Sequence, residues 1–179
     1  MKCTETKEYM AQHHPDILLV APQVPNYPME AITLLRETVS EVVNKYPNAQ
    51  LGYIGSSMGG FMSTNLMQDF PGRAVLVNPA VTPHILLHDY LGEHEHPYTG
   101  KSFTLTKQHM SELESLLVPK LQAPENFWVL LQEGDETLDY KEAVEKYSAG
   151  NVTVEKGGDH SFQGYGNYLQ RIFQFLYPE

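Results

Sequence analysis

A chain of 179 residues is long enough for one domain with a buried core and too short for two ordinary ones. With 41% hydrophobic and 19% charged residues and no apolar run of about 18, the composition excludes a bilayer-spanning helix and a disordered chain. The net charge of −10, from 12 basic and 22 acidic residues, argues against nucleic acid and anionic membrane as partners, since both are held by Lys and Arg at phosphates.

The start "MKCTETKEYM" lacks the apolar core of a signal peptide, and Cys3 is the one cysteine, so a cytoplasmic protein without internal disulfides is expected. Strand-like apolar runs follow at "ILLVAP" (17–22), "LGYIG" (51–55), "AVLVNP" (74–79), "FWVLLQ" (127–132) and "NVTVE" (151–155). Nearly continuous apolar runs of this kind suit parallel strands covered on both faces. After Asn26 and Pro28, residues Ile32, Leu35, Val39, Val42 and Tyr46 recur at three- and four-residue steps, predicting a helix with a cap and a proline in its first turn. Further helices are expected at 58–69, 139–147 and 164–177. Strands alternating with helices predict a single α/β domain over 1–179 with a mostly parallel sheet. Residues 81–123 break the rhythm. They are too long for a simple crossover, and "HILLHDYL" and "SELESLL" predict two helices in a cap over the carboxyl ends of the strands, where ligands of open parallel sheets bind.

The turn "GSSMG" between the second strand and the next helix has the GxSxG pattern of a nucleophile elbow, in which a serine is held on a tight strand-to-helix turn above the sheet. Gly55 and Gly59 flank Ser57, and both are expected to be glycine because a side chain there would strike the neighbouring backbone. Without chemistry, the same turn would be a glycine-rich loop that binds an anion at the helix N-terminus. A serine nucleophile needs a base, and the base an orienting acid. Of the eight histidines, His160 follows the last strand in "KGGDHSF", where Gly157 and Gly158 let the loop fold back toward the turn. The loop after "FWVLLQ" offers Glu133, Asp135, Glu136 and Asp139. Asp135 is preferred because it follows Gly134 at the strand's carboxyl end, while Asp139 suits a helix cap; Asp159 is the lesser alternative. On the cap, Tyr90, Leu91, Tyr98 and Phe103 are expected to shape an apolar acyl pocket. His84, His88, Glu93, His94, Glu95 and His96 are better explained as a polar, solvated cap than as ligands, so no metal and no cofactor are expected.

With these residues placed, the chain resembles the YqiA-like esterases of the α/β-hydrolase superfamily. "HHPDILLVAPQVPNYP", "GSSMGG", "VNPAVTPHILLHDYLG", "HPYTG", "GDETLDY" and "GGDHSF" follow the family's order over nearly the whole chain. The resemblance implies an α/β-hydrolase fold, Ser57 as nucleophile, His160 as base, Asp135 as acid, and a small-molecule acyl ester or thioester as substrate. One feature departs from it. Family members begin with a central strand ending in a His-Gly turn that helps form the oxyanion hole, and no His-Gly dipeptide occurs here. Three outcomes are open: "ILLVAP" and "LGYIG" pair directly, another chain fills the gap, or the chain is a shortened one; the last is expected, with open strand edges driving homodimerisation. For the oxyanion the backbone N–H of Met58 then remains, and loss of one such donor costs about a hundred- to a thousandfold in turnover. The competing expectation is a non-catalytic binding module on a hydrolase scaffold. In that case the His160 ring and the Ser57 hydroxyl need not stay within hydrogen-bond reach.

Overall fold

The computed structural model describes residues 2–95, 100 and 102–178. Four strands, β1 (Gly52–Ser56), β2 (Arg73–Val77), β5 (Phe127–Gln132) and β6 (Asn151–Glu155), form a wholly parallel sheet in the order β1-β2-β5-β6. The register sets Ser56 opposite Val77, Val77 opposite Leu130, and Gln132 opposite Glu155, so all four carboxyl ends open on one rim. The central strands are apolar on both sides because both sides are covered. Val75, Val77, Trp128 and Leu130 face one layer, against Met10 of helix α1 (Lys2–His13) and the Leu169, Ile172, Phe173 and Leu176 stripe of α7 (Leu169–Leu176). Their neighbours Ala74, Leu76, Phe127, Val129 and Leu131 face the other, against Met67 of α3 (Met58–Asp69) and Ala143 of α6 (Tyr140–Lys146). Tyr147, at the end of α6, hydrogen-bonds Thr64 of α3 at 2.8 Å, and burial pushes its hydroxyl up to about 12, so it serves there as a neutral partner.

Outside α3 lies a third cluster, in which Ala31 and Ile32 of α2 (Pro28–Lys45) meet Phe61, Met62 and Leu66 of α3 and Met110 and Leu113 of α5 (Lys107–Ser115). The long connection from β2 to β5 therefore packs on the α2–α3 side. It contains the short helix α4 (Pro83–Leu86), a 3-10 turn at Leu87–Tyr90 and α5. It also holds an antiparallel hairpin of β3 (Gly92–Glu95) and β4 (Ser102–Leu105), where two helices alone were expected. Glu and His are weak strand formers, so "GEHE" carries no strand signal; its ladder to "SFTL" comes from pairing. No described helix is long and apolar enough to cross a membrane.

Two expectations are corrected. Residues 17–22 are not a strand: they run without a ladder partner among the described residues, with Leu18 58%, Leu19 37% and Val20 44% exposed, and of these six Ile17 reaches the α7-side cluster. Direct pairing with β1 does not occur, and β1 is the edge of the described sheet. An apolar β-branched run supplies strand composition, but a strand needs a neighbour that supplies hydrogen bonds. Asn26 does not cap α2 either. Tyr27 takes the N-cap position without a side-chain bond, and Pro28 at the first helical position needs no N–H acceptor.

Ile172→Ala, at a fully buried position, is expected to lower stability by about 2–5 kcal/mol in urea unfolding, whereas Leu18→Ala should change it by less than about 0.5 kcal/mol. A comparable loss at Leu18 would mean that residues 17–22 belong to the packed sheet.

Candidate active site

Ser57 sits between β1 and α3 at φ 54°, ψ −120°, a conformation that costs a non-glycine residue energy and persists only when its surroundings over-determine it. They do so here. The Ser57 N–H donates to Val77 O at 3.1 Å, and Ser57 O accepts from the N–H groups of Gly60, Phe61 and Ala80 at 3.0, 3.3 and 3.1 Å. Gly55 is needed for the close approach, because a Cβ there would lie 2.4 Å from Gly59 O. The same expectation for Gly59 is corrected: a Cβ at Gly59 would meet nothing within 4 Å among the described residues. The second tight contact belongs to Gly60, whose Cβ would come within 2.6 Å of Pro79 Cβ. On the helix, the close approach is to the loop after β2 and falls one residue later than the GxSxG spacing suggests.

Ser57 Oγ lies 3.0 Å from His160 Nε2, and His160 Nδ1 lies 3.0 and 2.9 Å from the two carboxylate oxygens of Asp135. An ionised carboxylate only accepts, so Nδ1–H donates to Asp135, and in the neutral ring Nε2 is left to accept the serine proton. The Asp135 side chain is 2% exposed and that of His160 24%, which places the carboxylate inside and the ring at the opening. Asp135 Oδ1 also accepts from the N–H groups of Thr137 and Leu138 at 2.9 and 2.8 Å, so the turn after β5 holds the carboxylate oriented toward the ring. Met58 is the first residue of α3, and its N–H is one of the donors that helix geometry leaves without an intrahelical acceptor.

The other carboxylates are occupied elsewhere. Asp139 caps α6 through Lys141 N at 3.0 Å, Asp159 takes the Gln163 amide, and Glu136 accepts from the His160 backbone N–H at 2.9 Å, a contact with no sequence signal. Among the proposed pocket residues, Tyr90 is 56% exposed, Leu91 packs in the cluster that contains Met58 and Leu138, and Phe103 tilts against His94; Tyr98 lies outside the described residues. A cavity of about 180 Å³ lies instead between Pro79–Pro83 and Thr137–Asp139, and neither Tyr90, Leu91 nor Phe103 lines it. It adjoins the triple arrangement, since its Ala80 is bonded to Ser57 and its Thr137 and Leu138 to Asp135. The histidines of the insertion are scattered: His88 is largely exposed beside Asp89, and no metal-holding group of three occurs among the described residues. Asn78 and Gln132, at the ends of β2 and β5, are buried polar residues that sequence reading passed over. A polar residue closing an apolar run, as in "VLVN" and "WVLLQ", is the signal that could have found them.

The sequence profile of an uncharacterised protein family (UPF0227) matches residues 1–177. Among solved structures the chain is similar to a candidate hydrolase from Agrobacterium vitis S4, at 18% identity and TM-score 0.71 over 98% of this chain and 82% of that one. An esterase domain of a Rhodothermus marinus protein aligns at 17% identity and TM-score 0.58 over 79% and 66%. An α/β serine hydrolase homologue from Coxiella burnetii aligns at 14% identity and TM-score 0.59 over 98% and 76%. The fold is that of the α/β hydrolases.

Gly55→Ala is expected to destabilise by about 1–3 kcal/mol, and Gly59→Ala to be neutral or to stabilise by up to about 1 kcal/mol through helix propensity, both read by urea unfolding. Equal penalties at the two positions would contradict the contact geometry of the turn.

Proposed function

The chain belongs to the uncharacterised protein family UPF0227, the YqiA-like group, and from that footing we propose that it is a serine esterase acting on carboxylic esters or thioesters of small molecules. In this reading Ser57 Oγ attacks the acyl carbonyl while its proton passes to His160 Nε2. The oxyanion that forms is met by the Met58 N–H. Asp135 holds the ring in the reactive tautomer and stabilises the imidazolium without taking its proton. His160 then protonates the departing alcohol or thiol as the tetrahedral intermediate collapses, which leaves Ser57 acylated. Water attacks this acyl-enzyme, gives its proton to His160 and releases the acid, and Ser57 recovers its hydrogen.

The observation that supports the reading is the unbroken line from the Ser57 hydroxyl through His160 to Asp135, with 3.0 and 2.9 Å links and a buried far end. A scaffold kept only for binding has no reason to maintain a strained serine and a fully bonded carboxylate on one imidazole, so the same observation weighs against the non-catalytic alternative. The proposal extends to self-association through the outer edge of β1, which has no ladder neighbour among the described residues.

A fluorophosphonate probe is expected to label the protein at Ser57. Ser57→Ala should abolish labelling and lower kcat on p-nitrophenyl esters by at least about 10⁴-fold, with Asp135→Asn costing about 10⁴-fold. Undiminished labelling of Ser57→Ala would overturn the assignment, and a parallel panel of acyl-CoAs separates thioester from ester preference. Sedimentation velocity should show a dimer growing with concentration; a chain that stays monomeric throughout would refute pairing at β1.

A further inference from the structure

The loop that carries His160 is backbone-irregular, with Gly157 at φ 68°, Gly158 at 75°, Phe162 at 58° and Gly164 at 76°. Such a loop holds a ring to within tenths of an ångström only if something else fixes it. Two amide side chains at the carboxyl ends of the central strands reach into it. Gln132, 3% exposed, accepts through Oε1 from the N–H groups of Asp159 at 3.2 Å and Gln163 at 2.8 Å. Through Nε2 it donates to Gln163 O at 2.9 Å and to Glu155 Oε2 at 2.8 Å. All four hydrogen-bonding positions of the amide are therefore used, and its orientation is fixed: backbone N–H groups can meet only the oxygen, and carbonyl and carboxylate oxygens only the nitrogen. Asn78, 1% exposed, accepts from Gln132 N at 3.1 Å and donates to the carbonyls of Asp159 at 3.0 Å and His160 at 3.2 Å.

From these contacts we infer that Gln132, assisted by Asn78, is a positioning residue for His160, tying the loop on both sides of the imidazole to the rigid ends of β2 and β5. The backbone of residues 159, 160 and 163 meets these two side chains, and the Phe162 side chain anchors the same loop in the α7-side core. Gly158 belongs to the device. A Cβ there would lie 2.0 Å from Gln132 Oε1, so the loop closes around the amide only as glycine. At the far end Glu155 accepts from Gln132 and, at 2.7 Å, from the Tyr168 hydroxyl. These donors hold its carboxyl below its ordinary value, so the tie is intact above the usual carboxyl range and weakens only as pH falls through the lowered one.

The inference rests on reading His160 as the general base, and its test separates the two. Gln132→Met keeps the side-chain length and removes the four hydrogen bonds. It is expected to lower kcat on a p-nitrophenyl ester by about ten- to a hundredfold with KM within about twofold, as misplacement of a catalytic group does. Three carboxylates face or flank His160: Asp135 on its ring, Glu136 on its backbone N–H and the adjacent Asp159. Loosening the loop weakens the Asp135 contact on the ring, so the midpoint of the acid limb of kcat/KM should move to lower pH. A purely structural loss scales activity at all pH values alike and leaves that midpoint in place. In the unmodified protein, the amides of Asp159 and Gln163 should exchange hydrogen as slowly as those of β5, and in Gln132→Met they should become fast. Labelled wild-type protein combined with an unmoved midpoint and KM-type loss in Gln132→Met, or fast exchange of both amides before any substitution, overturns the positioning role. Absence of Ser57 labelling in the wild type overturns the esterase reading instead and leaves the exchange result to decide the role of Gln132 by itself.

Discussion

The structure depends on the register of one parallel sheet. Because Ser56, Val77, Gln132 and Glu155 end their strands at matching levels, the four following loops leave from one rim and meet there. Ser57 comes from the first, Asn78 from the second, Asp135 from the third and His160 from the fourth. A one-residue slip in any pair would invert the side chains of a strand, take Val77 or Leu130 out of the α7-side core and separate the serine from the imidazole. Apolar burial of the central strands thus sets the placement of polar groups some residues beyond them.

At that rim, polar and strained features support one another. Ser57 holds an unfavourable backbone conformation, and three N–H groups on its carbonyl keep it there. Asp135 is nearly buried and accepts from two backbone N–H groups and the ring, so its buried oxygens are hydrogen-bonded. Gln132 and Asn78 are buried amides whose bonds run into the irregular loop. Full satisfaction matters, because in a low-dielectric interior a half-bonded amide is worse than an apolar residue of the same size.

Much of this was legible in the sequence. The strand runs at 51–55, 74–79, 127–132 and 151–155 became the sheet, and the apolar stripes became α2, α3, α5, α6 and α7, because composition and period reflect which faces are covered. The α/β-hydrolase fold and the family followed from the order of motifs. Ser57, Asp135 and His160, chosen from loop position and chemistry, stand within hydrogen-bonding distance along one line. What escaped depends on partners. Residues 17–22 have the composition of a strand and no ladder, and "GEHE" has a ladder without the composition. Gly59 looked obligatory from the motif, yet the close contact falls on Gly60, since helix direction rather than spacing decides which Cβ meets Pro79. Gln132 and Asn78 were hidden because a single polar residue after an apolar run reads as the end of a strand until the loop it bonds is seen.

The central claim is that the buried Asp135 carboxylate and the Ser57 hydroxyl share one imidazole. Proton NMR of ¹⁵N-labelled protein tests it without substrate. The account predicts a strongly deshielded, exchange-protected proton coupled to His160 Nδ1, which disappears in Asp135→Ala. A His160 ring with no protected Nδ1–H would contradict it.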